Sequence, residues 1–212
     1  MTSPSHLPHL RYAGLAAVAT LWICVGAGMY RAGLGFFDPR PISYLGTDPT
    51  AELLFRGGLI VAALLVAGFA WFVWDRFRAP DSFLAATLIG LVGQVVAAVV
   101  PLAGHGVGRA AHNAGGIVLG LSLPVLMWRF ARGQPPGRRR TQSYRLCWLE
   151  VAACIVGVGL SMAGKAPIAE ILPALGFHLW ILRVTVWSGE ARATGAERVG
   201  GGEDFDRPGR TH

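Results

Sequence analysis

Six apolar stretches, each close to the ~20 residues a helix needs to cross a bilayer, constrain this chain more than anything else in it. They run at about Tyr12–Met29, Gly57–Trp74, Phe83–Ala103, Ala114–Phe130, Leu146–Ala163 and Pro167–Trp187. Composition agrees: 53% of the 212 residues are hydrophobic and 15% are charged, against ~25% charged in an ordinary soluble domain. The expected fold is all-α, a polytopic membrane bundle of six transmembrane helices over 1–188. The remainder, 189–212, is polar, Gly-rich and aperiodic, and reads as a disordered cytoplasmic tail. The run after Arg11 is long for a signal peptide and lacks a small-x-small cleavage site, so it reads as a retained first helix.

Local signals set expected boundaries. Asp48 is expected to cap the second helix, with Pro49 at its first position. Ala79-Pro80-Asp81-Ser82 reads as the turn and cap before the third, and Pro124 as a kink in the fourth. Gly164 ends the fifth helix and Pro167 starts the sixth. Small residues, Gly90 and Gly93, Gly116 and Gly120, and Gly157 with Ser161, offer faces for close helix approach.

Charge placement orients the bundle. With the N-terminus inside, 14 of the 19 Lys and Arg residues fall in cytoplasmic segments, including six from Arg129 to Arg145. Only Arg31, Arg40, Arg56, Arg109 and Lys165 fall outside. This bias supports both termini in the cytoplasm; an inner, plasma-type membrane is the expected location. The loop Gly133–Tyr144, with its Arg triplet, is the strongest orienting segment and could also attract anionic head groups. Trp71, Trp74, Trp128, Trp148 and Trp187 fall near the cytoplasmic ends, as in an aromatic belt. Membrane lipids are therefore the expected partners. Nucleic acid is not, because the arginines are not interleaved with aromatics on a soluble face.

The polar groups inside apolar stretches carry what functional signal there is, because each costs ~2.5–3.5 kcal/mol on insertion scales. Glu170 lies about 5 Å below the outer end of the last stretch by helix rise, and His112 opens the fourth. With His105, Arg109, Asp48 and Arg56 from nearby loops, they outline an outward-facing polar pocket. A carboxylate and imidazole there could bind a divalent metal or move protons; they could equally clamp two helices. His178 and Gln94 are both near mid-depth, which suits an interhelical hydrogen bond or a relay below the pocket. Glu150 and Arg183, each about one turn from the cytoplasmic side, are expected to form a structural ion pair. Cys24, Cys147 and Cys154 form no CxxC pair and read as apolar fillers. No phosphate-cradling loop, HExxH or GxSxG is present. His112 and His178 differ by about 15 Å in depth, which argues against a haem held by both.

One resemblance bears on these residues. Ile42-Ser43-Tyr44-Leu45-Gly46, His112-Asn113 after Val100-Pro101, and the early Glu170 together resemble the bacterial six-span family called domain of unknown function 998, over about Tyr12–Ser188. That family looks distantly like the eukaryotic DRAM autophagy modulators. Leu102, Ala103 and Gly104 follow Pro101, where such proteins often carry an acidic residue. The resemblance implies a fold and a membrane location, with no set activity. The functions in view are lipid or amphiphile binding at the outer pocket, proton-coupled transport, metal-assisted hydrolysis or acyl transfer, and a structural scaffold.

Overall fold

A computed structural model describes residues 8–100, 102 and 106–200, with only the backbone described for residue 8 and residues 191–200. All the regular elements there are helical. Six long helices follow one another: α1 (Ala13–Ala32), α2 (Glu52–Phe77), α3 (Asp81–Val99), α4 (Val107–Gly133), α5 (Arg138–Met162) and α6 (Ala166–Gly200). Each is long and apolar enough to cross a membrane. Each packs on the next, and α6 returns to α1 and also touches α4. The connections 78–80, 134–137 and 163–165 are only three or four residues long, and turns that short join antiparallel neighbours.

The helices exceed their apolar stretches. α5 starts at Arg138, well before Leu146, because arginine is a good helix former and hydropathy marks the immersed part of a helix, not its ends. The Arg triplet therefore lies on the first turn of α5, and not in a loop. Trp148 lies ten residues into α5 and is exposed, whereas Trp187 is buried at 2% exposure inside the bundle. α6 likewise runs through Gly200, so its helix passes the 188/189 boundary read from composition; residues 201–212 lie outside the described ones. At α2, Ala51 is the N-cap and Asp48 instead accepts from the backbone N–H and hydroxyl of Thr50. Pro80 is the N-cap of α3, and Asp81 accepts a hydrogen bond from Trp74 Nε1 at 3.0 Å.

Two apolar cores fill the bundle. The larger lies toward the arginine-rich end. Its hub is Trp180, 1% exposed, with the rings of Phe69, Phe83, Phe130 and Phe177 at centroid distances of 6.2, 6.2, 5.4 and 5.6 Å. Rings from α2, α3, α4 and α6 thus converge on one indole. The smaller core lies at the other end, where residues 33–51 fold over α1, α2 and α6 as a cap. Its 3₁₀ turn, Ile42–Thr47, buries Leu45 completely beside Val25, Met29, Phe55 and Ile171.

Glycines set the closest helix contacts. Gly93 of α3 and Gly115 of α4 face each other: a Cβ on either would lie 2.6 to 2.8 Å from the other's carbonyl oxygen. Gly116 and Gly120, the pair the spacing suggests, have open space around them instead. Gly157 of α5 rests on the carbonyl of Ala169 in α6. Pro173 has no N–H to give that carbonyl, so α6 exposes a polar oxygen there and a neighbouring backbone can approach it.

Candidate functional site

The polar residues gather at three levels, and most have partners other than those their spacing suggests. At the cap end, the Ser43 backbone N–H donates to Glu170 Oε2 at 3.2 Å and the Ser43 hydroxyl to Oε1 at 3.4 Å. Glu170 is exposed while both its oxygens are engaged by the same cap residue. Ile168 N–H donates to Phe36 O at 3.2 Å, so α6 enters the bundle stitched to the cap. Arg56 donates to Gly46 O at 2.9 Å and pairs with Glu52 at 2.9 Å, fastening the cap to α2. In the cap itself, Asp38 and Arg40 form an ion pair at 2.9 Å. The hydrogen bonds from Arg40 hold the Asp38 carboxyl down at about 2 and raise the guanidinium. Hydrogen bonds from Thr50 likewise lower Asp48.

His112 does not join this cluster. Its Nδ1–H donates to Val100 O at 2.7 Å, capping one of the carbonyls that the end of α3 leaves without a helical partner. No hydrogen bond or ion pair links His112 to Glu170, and Asp48 is occupied by Thr50. Arg109 is exposed on the first turn of α4. His105 lies outside the described residues. Among the described residues of the expected pocket, Glu170, Asp48, Arg56 and His112 thus each bond to a different partner, and the Glu170–Ser43 and Asp48–Thr50 contacts are exposed. Among the described residues, no three His, Cys, Asp or Glu side chains gather as a metal site.

At mid-depth, His178 and Gln94 are both buried but do not bond to each other. His178 Nδ1 accepts from Trp22 Nε1 at 3.0 Å, with the rings edge-on at 5.7 Å. Gln94 Nε2 donates to Leu59 O at 2.8 Å. One bond ties α6 to α1 and the other ties α3 to α2. The reason is topological: α3 and α6 each find a nearer neighbour, so equal depth does not bring their side chains together. Trp22 as a partner leaves no signal in a hydropathy pattern, and a backbone carbonyl such as that of Leu59 leaves none in any side-chain pattern.

The pair Glu150–Arg183 also fails. Gly157 against Ala169 and Gly176 against Glu150 set the register of the α5–α6 hairpin. Arg183 is seven residues beyond Gly176, about 10 Å along the axis. Glu150 sits at the midpoint of α5, is 0% exposed, and accepts only a thiol contact from Cys154 at 3.7 Å. Its Oε2 has no partner among the described residues; nor does Trp180 Nε1. Arg183 instead donates to Gln142 Oε1 at 3.1 Å and lies 5.1 Å from the Trp187 ring.

At the arginine-rich end, the first turn of α5 and the stretch of α6 past its midpoint enclose a cleft of about 270 Å³, lined by Arg138, Arg139, Gln142, Arg183, Trp187 and Glu190. The architecture and these sites define a class: a six-helix bundle apolar enough for a multi-pass membrane protein, with a cap at one end and arginines at the other. Compared with family models, with curated proteins and with solved structures, the chain matches none of them.

Proposed function

We propose that this is a multi-pass integral membrane protein of an inner, plasma-type membrane, with both termini cytoplasmic, that binds a lipid or small amphiphile at the outer end of the bundle. The six-span resemblance noted above is part of this reading. The supporting observation is the Glu170–Ser43 joint. It leaves an exposed carboxylate, held by two donors of the cap, near the start of α6. A head group bearing an amine or hydroxyl donor matches it. Apolar faces of α1 and α6 beside it would take an acyl chain.

A scaffold reading has its own support. Trp22–His178, Gln94–Leu59, His112–Val100 and Arg56–Gly46 each join two parts of the chain. Native mass spectrometry of the purified full chain separates the two readings. A co-purified amphiphile, retained by the unaltered protein and reduced by about tenfold in Glu170→Leu, is the outcome expected for binding. A variant that loses thermal stability while its lipid complement stays the same makes Glu170 a fastener and nothing more.

A further inference from the structure

The cleft at the arginine-rich end lies on the opposite side of the bundle from Glu170, and its chemistry is the reverse. Two of its guanidinium groups are already placed by aromatic and amide neighbours. Arg139 lies 5.6 Å from the Phe77 ring and 5.9 Å from the Trp187 ring. Arg183 lies 5.1 Å from the same Trp187 ring and is held by Gln142. Trp187 is 2% exposed, so the ring that both arginines approach is fixed by packing. Holding arginine forks in advance lowers the ordering needed when an anion binds, and a fork matches the paired oxygens of a phosphate.

Backbone geometry adds to this. Gly137 is the N-cap of α5 and offers no side-chain cap. The first helical bond at that end runs from Thr141 N–H to Gly137 O at 3.1 Å, which leaves the amides of residues 138–140 without helical acceptors. The positive end of a 25-residue helix thus opens beside three arginines. Glu190 is the single acidic side chain lining the cleft, against three guanidinium groups, so an anion meets net positive charge.

We propose that this cleft is a binding site for a phosphate group, recognised by Arg139 and Arg183 above the Trp187 ring, with Arg138 and the α5 amides completing its positive wall. Phosphate of this kind can reach the cleft on an anionic phospholipid or as a soluble ion, and the two sources are separable.

The test uses the full chain in nanodiscs of phosphatidylcholine with or without phosphatidylglycerol, and native mass spectrometry to count retained lipid. Arg139→Gln/Arg183→Gln removes the fork; Arg132→Gln/Arg145→Gln removes the same charge from exposed positions outside the cleft. Circular dichroism of each variant verifies folding, and Arg139→Lys, which keeps charge and loses the fork, serves as the milder second variant. Expected is retention of phosphatidylglycerol about tenfold above phosphatidylcholine, lost in the cleft variant, reduced in Arg139→Lys and kept in the outer control. Excess inorganic phosphate that leaves the lipid bound assigns the site to head groups. Inorganic phosphate that displaces the lipid, or binds the unaltered chain but not the cleft variant, assigns it to soluble phosphate. Equal loss in both double variants, or no preference by the unaltered protein for phosphatidylglycerol or phosphate, overturns the proposal.

Discussion

Glu150 shows how far a side chain's surroundings can depart from its sequence neighbours. It is the one fully enclosed carboxylate among the described residues, and its Oε2, facing Gly176, has no hydrogen-bond partner there. Leaving a buried acceptor unsatisfied costs about 1–3 kcal/mol, whereas an apolar group of like shape has no such penalty. Glu150→Met should therefore raise thermal stability in detergent, by about 1–2 kcal/mol. A variant that melts earlier would show that the carboxyl has a partner supplied from outside the chain, a water or a ligand. Gln94, His112 and His178 differ in kind: each has one well-formed hydrogen bond to a neighbouring element. Bonds of that type average ~0.6 kcal/mol between membrane helices, so they position helices more than they stabilise them.

Between helices, backbone proximity does what hydrophobic drive does in water. Lipid tails are as apolar as leucine, so α3–α4 and α5–α6 gain from dispersion and polar backbone contacts only where side chains are absent. Gly115 and Gly157 occupy such points, each beneath a facing carbonyl. Gly115→Val and Gly157→Val should each lower stability by about 1–3 kcal/mol, because a backbone cannot move aside as a flexible side chain can. Gly116→Val is the matched control; with open space around it, it should stay within about 0.5 kcal/mol. Thermal denaturation of the three variants in one detergent checks the set, and equal effects at 115 and 116 would remove the contact as the cause. A hydropathy profile suggests that small residues matter in α4 but cannot choose between adjacent glycines. Only the rotation of α4 against α3 makes that choice.

Across the whole bundle, the two ends have opposite character. One is closed by a folded cap with an Asp38–Arg40 pair, and the other gathers arginines on α4, α5 and α6. Single cysteines in a background lacking Cys24, Cys147 and Cys154 test the orientation. Thr50→Cys should react with a membrane-impermeant maleimide added to intact cells, and Pro136→Cys only after lysis. The reverse pattern would invert the bundle.

Six helices, their order and the charge contrast of the two ends were legible in the chain because hydropathy and charge are local properties that each stretch carries wherever it packs. Ser43, in the Ile42–Gly46 turn, meets Glu170 once the cap folds over α6. His112 with Glu170, His178 with Gln94, and Glu150 with Arg183 were matched by depth alone, and each found another partner. Depth is one coordinate of a side chain in a bundle. The other two, rotation about the helix and choice of neighbour, come from glycines pressed against carbonyls and from indoles seated between helices, and these exist only once the helices have packed.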